Sequence, residues 1–260
     1  MNNRRQQKKR NEDKAQIRAN QLDTWVPKTD IGKKVFSGEL TDLKPLLENG
    51  VKIMESQIVD KLLPNLSDDL LLVGQAKGKF GGGQRRAFKQ TQKKTKEGNK
   101  PSFTTYAAVG NKNGFVGVGM GKSKETVPAR EKAIRNAKLN VIYVPRGSGS
   151  WQANVIEQNS IPFKVTGKCG SVELTLIPAP KGTGLVIEKE CAKILALAGI
   201  TDIWAKMHGK TKTKINVVKA CYDALLQLSK MKVSPAQKKA LGIELQKIHT
   251  PEEITQEVSE

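Results

Sequence analysis

The chain has 260 residues and a formal net charge of +20, with 45 Lys and Arg against 25 Asp and Glu. An excess this large favours a polyanionic partner: RNA, DNA or an anionic membrane surface. Apolar residues make up 37 % of the chain, enough for one large domain or two small ones with extensions. The three cysteines, Cys169, Cys191 and Cys221, are odd in number and far apart, which argues against a disulfide framework. They read as small buried hydrophobes in a reducing cytoplasm. The opening MNNRRQQKKR predicts no secretory signal, and no apolar run of about 18 residues predicts a membrane span.

Residues 1–24 read as a disordered basic arm. Arg4, Arg5, Lys8, Lys9 and Arg10 belong to seven basic residues set against Glu12 and Asp13, with almost nothing to bury. Such a segment is either a solvated tail or an arm lying on nucleic acid. Residues 25–66 read as an N-terminal extension in which turn signals alternate with apolar clusters. Thr41 is placed to cap a short helix ending near Asn49-Gly50, and Gln57–Leu63 reads as another short helical piece. Asp68-Asp69, beside a leucine run, reads as the end of a helix, and Leu70–Gln75 as a strand.

The stretch 77–100 is the strongest signal in the chain. It carries nine Lys and Arg, namely Lys77, Lys79, Arg85, Arg86, Lys89, Lys93, Lys94, Lys96 and Lys100, against Glu97 alone. Nothing in it forms a core, so it predicts a long strand–loop–strand excursion with a basic tip. The guanidinium forks of Arg85 and Arg86 suit phosphate, and the lysines act as point charges. Phe80 and Phe88 either stack on exposed bases or anchor the loop. Asn99, Asn111 and Asn113 either bond sugar and base edges or form turns.

Phe103–Val109 reads as a strand, Asn113-Gly114 as a hairpin turn after Asn111 and Lys112, and Phe115–Met120 as the returning strand. Its glycines at 117, 119 and 121 leave one bare face, open to close approach by other protein backbone or by an RNA backbone. A helix is predicted over 127–140, capped by Thr126 with Pro128 in its first turn. Its face recurs at Val127, Arg130, Ile134, Ala137 and Val141, with Arg130, Lys132, Arg135 and Lys138 adding positive charge. Residues 67–145 thus make a first domain. Pro145–Ser150, with Arg146, is the best internal break.

Residues 150–230 read as a second domain. Ile161–Thr166 and Ser171–Ile177 alternate like paired strands around Gly167–Gly170. The segment Pro178–Gly184 is a rigid-then-flexible loop. A helix over Glu188–Ala198 stops at Gly199, Ile203–Met207 is a strand, and Ile215–Leu228 is a helix. That last helix has an apolar stripe of Val217, Ala220, Cys221, Ala224, Leu225 and Leu228. Residues 231–260 read as a helical, acidic tail with two capping boxes, Ser234-Pro-Ala-Gln237 and Thr250-Pro-Glu-Glu253.

The segment Gly114–Ser123 ends in Gly-Lys-Ser before a helix, as a phosphate-binding P-loop does. That loop needs a glycine where this chain has Val116, and the dinucleotide pattern would need one at Lys122 or Lys124. The two histidines, His208 and His249, are scattered and no cysteine pair has ligand spacing, so no metal is expected. No nucleophile has a base nearby, so no enzyme activity and no cofactor are expected. Aromatic residues are only 5 % of the chain, which favours recognition by shape and phosphate over base stacking on a sheet.

Two runs resemble a known family. The first is Gly98-Asn-Lys-Pro-Ser-Phe-Thr-Thr-Tyr-Ala-Ala-Val-Gly-Asn-Lys-Asn-Gly-Phe-Val-Gly-Val-Gly-Met-Gly-Lys122, followed by Ala133-Ile-Arg-Asn-Ala-Lys-Leu-Asn140. The second runs in order through Ile161-Pro-Phe, Gly170-Ser-Val, Pro178-Ala-Pro-Lys-Gly-Thr-Gly-Leu, Ala198-Gly-Ile and Ile215-Asn-Val-Val-Lys-Ala. Together, over roughly residues 25–230, they resemble small-subunit ribosomal proteins of the universal S-five family. Trp25-Val-Pro-Lys-Thr, Ile58-Val-Asp-Lys-Leu-Leu-Pro and Gly149-Ser-Trp151 resemble its archaeal branch.

The resemblance implies an α+β fold. The first domain would be like a double-stranded-RNA-binding domain, a three-stranded antiparallel sheet plus a helix. The second would be of β-α-β type. The resemblance also implies a place in the cytoplasm, in the small ribosomal subunit near the decoding region and the messenger RNA entrance. Partners would be small-subunit ribosomal RNA, the messenger path and proteins of the S-four, S-eight, S-three and S-two families, with no membrane and no homo-oligomer. The RNA-binding set would comprise the arm, the cations of 77–100, and Asn99, Asn111, Lys112, Asn113, Lys122, Lys124, Arg130, Arg135, Lys138 and Arg146. The loop Lys181, Gly182, Thr183, Gly184 would face the S-four neighbour, an interface that bears on translational accuracy. The excursion is longer than in bacterial relatives, and Gln152-Ala-Asn-Val stands where archaeal relatives often carry cysteines. The alternative is a free double-stranded-RNA-binding module with a regulatory role.

Overall fold

A computed structural model describes residues 25–75, 85–150 and 158–243. Expectations for residues 1–24, 76–84, 151–157 and 244–260 lie outside the described residues, including the arm, Lys77, Lys79, Phe80 and the second capping box. The chain divides into two compact units between Tyr143 and Val144.

The first unit opens with three short helices, α1 (Asp30–Ser37), α2 (Lys44–Glu48) and α3 (Ser56–Leu62). Thr29 caps α1 by accepting the Gly32 N–H at 3.1 Å, and Gly38 ends it at φ +86°, a left-handed conformation that glycine adopts without a Cβ penalty. The α2 cap is Leu43, not Thr41, and Pro45 supplies the first-turn geometry. Glu55 ties the entry of the chain down. Its carboxylate accepts the Trp25 indole N–H at 2.7 Å and the backbone N–H groups of Lys28 and Thr29 at 3.0 and 2.7 Å. Trp25, Val35, Leu43, Ile53, Ile58, Val59 and Leu66 then share one core with Val109, Ala137 and Val141.

The sheet of this unit holds β1 (Ser67–Leu71), β2 (Lys89–Thr95), β3 (Gly98–Gly110), β4 (Phe115–Ser123) and β5 (Val141–Tyr143). Its order is β1-β3-β4-β5, with β2 also on β3, so it has five strands where the family resemblance implies three. All its pairings are antiparallel. β1 pairs with Tyr106–Gly110 and β2 with Gly98–Thr104, end to end on one edge of β3. Asp68 and Asp69 lie inside β1 and do not end a helix. The strand stops at Leu71, because the chain turns through Val73 and Gly74.

Helix α4 (Thr126–Leu139) covers one face of this sheet. Its N-cap is Glu125, not Thr126, and its buried residues are Ala129, Ala133, Ala137 and Lys138. The expected face is met only in part: Ala137 is shared, but Val127 is 64 % exposed. The cause is β4. Gly117, Gly119 and Gly121 present bare backbone, and alanines four apart descend onto it. Two residues of strand advance about 6.8 Å and four of helix about 6 Å, so the two spacings run nearly in step. A Cβ on Gly117, Gly119 or Gly121 would lie 2.2, 2.1 or 2.0 Å from Ala137 O, Ala137 N or Ala129 O. Protein backbone occupies the glycine face, which corrects the alternative of an RNA backbone there and removes the nucleotide-loop reading.

The second unit contains β6 (Val165–Cys169), β7 (Val172–Pro178), β8 (Leu185–Val186), α5 (Lys189–Ala198), β9 (Ile203–His208), α6 (Lys214–Lys230) and α7 (Pro235–Ala240). The strand order is β6-β7-β9-β8, and β8 runs parallel to β9 with α5 as the crossover, a β-α-β unit. Gly167 is not part of a turn. It sits within β6, where a Cβ would lie 2.2 Å from Ala220 O of α6, and the chain reverses at Gly170, φ +61°. Every residue of the expected α6 stripe is buried. Cys191 and Cys221 are buried and Cys169 half-buried. The first tail capping box is present: Ser234 Oγ accepts the Gln237 N–H at 3.3 Å, and Gln237 Oε1 accepts the Ser234 N–H at 3.2 Å. The tail then bonds back to its own unit, with Leu241 O accepting the Ser148 N–H at 2.8 Å. Among the described residues no helix is long and apolar enough to cross a membrane.

Candidate nucleic-acid interface

Strands β2 and β3 run beyond β1 as a two-stranded ribbon. Gln90–Lys94 and Lys96–Lys100 are all exposed. The register sets Lys93 opposite Lys100 and Lys94 opposite Asn99, with Thr95 Oγ1 donating to Gly98 O at 2.7 Å to close the turn. Like charges placed directly opposite are unfavourable in a free ribbon. Lys100 is partly relieved by Glu97, 2.9 Å away across an exposed turn, and the rest of the charge is left for an anion. At the root of the ribbon, Thr104 pairs with Lys89 on one side and Lys122 on the other. Paired residues share a face, so these two cations flank one hydroxyl. Arg86 is exposed, and Arg85, Lys89 and Phe88 are half-buried.

The turn Asn111–Gly114 is built by its own side chain. Asn111 Oδ1 accepts the N–H groups of Asn113 and Phe115 at 2.8 and 3.2 Å. Asn111 is therefore a turn former, as one of the two readings had it, and it holds Lys112 exposed at φ +60°. Lys124 and Arg135 are exposed at the start and along the outer side of α4. Arg130 is half-exposed and 3.8 Å from Asp68.

Two expected cations are engaged within the protein, one buried and one half-buried. The Lys138 ammonium is buried and donates to Asp60 Oδ2 at 2.6 Å, with both side chains only 10 % exposed. This corrects its place in the RNA-binding set, because its charge is neutralised inside the first unit. Arg146 in the second unit is half-buried, and its guanidinium reaches Gly199 O and Gln158 Oε1 at 3.4 and 3.5 Å.

The loop Lys181–Gly184 is shaped by a residue the sequence did not single out. Asp202, 4 % exposed, accepts the Gly182 and Gly184 N–H groups through Oδ1 at 3.0 and 2.8 Å. Its Oδ2 accepts Asn159 Nδ2 at 3.0 Å and Thr201 Oγ1 at 2.8 Å. Burial alone would raise its pKa, but the bonds from Gly184, Asn159, Thr201 and Gly182 outweigh it and hold the carboxyl below the usual range. Gly182 and Gly184 sit at φ +90° and +74°, which keeps Lys181 and Gly182 out in solvent. An acid just before a strand carries no sequence signal of this role. Among the described residues no cluster of His, Cys, Asp and Glu could hold a metal ion.

A family described as "Ribosomal protein S5, N-terminal domain" matches residues 87–145, and one described as "Ribosomal protein S5, C-terminal domain" matches 167–239. Residues matched by the first contain the ribbon, the glycine strand and α4. The chain is 47 % identical over 214 residues to the "Small ribosomal subunit protein uS5" of Nanoarchaeum equitans, covering 82 % of this chain and 92 % of that protein. The protein of the same name from Methanosphaera stadtmanae is 44 % identical over 222 residues, covering 85 % and 91 %. That from Methanobrevibacter smithii is 43 % identical, covering 85 % and 97 %. With both domains matched in order and relatives aligned over nearly their whole length, the chain belongs to the ribosomal protein S5 (uS5) family.

Proposed function

We propose that the protein is a structural constituent of the small ribosomal subunit that binds ribosomal RNA and performs no chemistry. The observation that carries this reading is the β2–β3 ribbon. It exposes Lys93, Lys94 and Lys96 beyond the sheet, and Glu97 is the only acid in the ribbon. Such a ribbon gains most from lying between phosphates, where each lysine releases counterions. Arg85, Arg86, Lys89, Lys122 and Lys124 extend the basic surface at its root, and Asn99, Lys112, Asn113, Arg130 and Arg135 border it. The family resemblance supports a position near the decoding region and messenger entrance, with S-eight, S-three and S-two family neighbours, as part of the same proposal. The loop Lys181–Gly184 is proposed as the surface for the S-four family protein, with Asp202 holding its shape, and through that contact the protein supports accuracy. A protein with this role works in the cytoplasm.

Lysine footprinting tests the RNA contact. An amine-acylating reagent is applied to the isolated protein and to small subunits containing it, and modification is read by mass spectrometry. Lys93, Lys94 and Lys96 are expected to be protected at least about tenfold in the subunit. Equal reactivity in both states would remove the ribbon as the RNA contact.

A further inference from the structure

Helix α7 has six residues, too few to be stable on its own, so its order depends on where it docks. It ends in a Schellman turn. Gly242, at φ +65°, lets the Ile243 N–H reach back to Lys238 O at 3.0 Å, and the chain leaves the helix axis there. The last carbonyls of a helix find no partner within it. Leu241, at the helix end, turns its carbonyl to the segment that opens the second unit and accepts the Ser148 N–H at 2.8 Å. Just beyond the turn, Ile243 O accepts Gln158 Nε2 at 2.9 Å.

Residues 147–149 are thereby held from two sides. Gly147 and Ser160 exchange both backbone bonds, at 2.9 and 3.0 Å, and the Gly149 N–H donates to Ile161 O at 3.3 Å. Ser148, between them, sends its N–H the other way, to the tail. The segment is a middle strand in miniature, with the chain around Ser160 on one edge and the tail on the other. Gln158 joins both edges, because its Oε1 accepts Arg146 Nη2 at 3.5 Å while its Nε2 holds Ile243. The fit is close. A Cβ on Gly147 would lie 2.4 Å from Leu241 O, against 3.4 and 3.5 Å from Pro162 Cβ and Ile243 Cγ1. Of these three atoms only the tail carbonyl obstructs, so glycine at 147 is what admits the tail.

We propose that the tail segment 234–243 is a strap that locks residues 147–149 in place, and that these residues loosen when it lifts. The hold on the segment is a few contacts at the end of a short helix, while the sheet and α6 of the same unit rest on a buried core. The strap therefore opens as a local event, without unfolding the unit. This gives the C-terminal segment a conformational role of its own. It does not depend on the reading of the ribbon or of the Lys181–Gly184 loop.

Hydrogen exchange of the full-length protein, read at single amides, tests this with two variants that act from opposite sides. Gly147→Ala drives a Cβ against Leu241 O. Gly242→Ala puts a side chain at a positive φ and disturbs the turn from the tail side. In both, protection at Ser148, Gly149 and Ser160 should fall at least about tenfold, together with that at Leu241 and Ile243. Amides of β7 and α6 should keep the parent's protection, which shows that the unit is still folded. Faster exchange confined to Leu241, Ile243 and Ser148 would overturn the proposal, because the tail would then be a passenger on a segment that holds itself. Unchanged exchange at all of these amides would overturn it too, because the tail would not be held by these contacts. Should Gly147→Ala not fold, Gly242→Ala alone decides between these outcomes.

Discussion

Gly119 of β4 lies so close to Ala137 of α4 that an added Cβ would stand 2.1 Å from the Ala137 backbone nitrogen, with Ala133 O at 2.5 Å. Both obstacles are backbone, so no side chain can rotate away. Gly119→Ala is expected to force the helix off the sheet and to cost about 3 kcal/mol, the upper end for overpacking. Denaturant unfolding checks this. Met120→Ala, at the neighbouring exposed position, should stay within about 0.5 kcal/mol of the parent.

The Lys138–Asp60 pair makes a second prediction. Lys138→Met strands a buried carboxylate and is expected to destabilise by about 3–5 kcal/mol. Asp60 Oδ1 already lacks a hydrogen-bond partner among the described residues, which leaves the carboxylate little else to rely on. The double variant Lys138→Met/Asp60→Leu should recover most of the loss, because it removes both charges. A double variant as unstable as Lys138→Met would show that the pair is not the cause. RNA affinity per folded molecule should be unchanged in the double variant.

How far the sequence carries depends on the kind of signal. Glycines at 117, 119 and 121 announce close approach by something, because period-two glycines bare one side of a strand. What fills that side is set by Ala129, Ala133 and Ala137, whose weak hydrophobicity is hidden beside Val127 and Ile134. Periodicity therefore finds Ala137 but misses Ala129 and Ala133. The caps at Gly199 and Ser234, and the α6 stripe, are legible because each is a local pattern. Lys138 cannot be told from Lys132 in sequence. Asp60, 78 positions away, makes the difference, and only the fold brings it there. Asp202 is invisible for the same reason, since three of its four partners, Asn159, Gly182 and Gly184, are brought to it from distant parts of the chain. The basic ribbon is the opposite case: charge density with no apolar alternation has nowhere to go but solvent.

Asp202 gives a pH prediction. Its carboxyl is held below the usual range in the folded protein, so its contribution is full above the unfolded value, about 3.9, and is lost as pH falls through the lower folded value. Asp202→Asn should lower stability near neutrality by about 1–3 kcal/mol, because an amide cannot accept all four donors. Its stability should also fall less steeply than the parent's below about pH 4. Amide exchange at Gly182 and Gly184 should quicken in the variant. Parallel acid limbs for the two proteins would contradict this role.

The ribbon makes a salt prediction. Replacing Lys93, Lys94 and Lys96 by Gln should leave thermal stability within about 0.5 kcal/mol, since all three are exposed. It should lower the slope of log affinity for small-subunit ribosomal RNA against log salt by about 2–3, because each phosphate that is no longer neutralised takes nearly one from the slope. An unchanged slope would mean that these lysines meet no phosphate.

The proposed place of this protein is inside the small ribosomal subunit, held there by RNA. Sedimentation of a cell extract through a sucrose gradient, with the protein followed by antibody before and after ribonuclease, tests it most directly. The protein should travel with the small subunit, and that peak should collapse on digestion. A stable pool at the top of the gradient, indifferent to ribonuclease, would contradict the claim and favour a free regulatory RNA-binding protein.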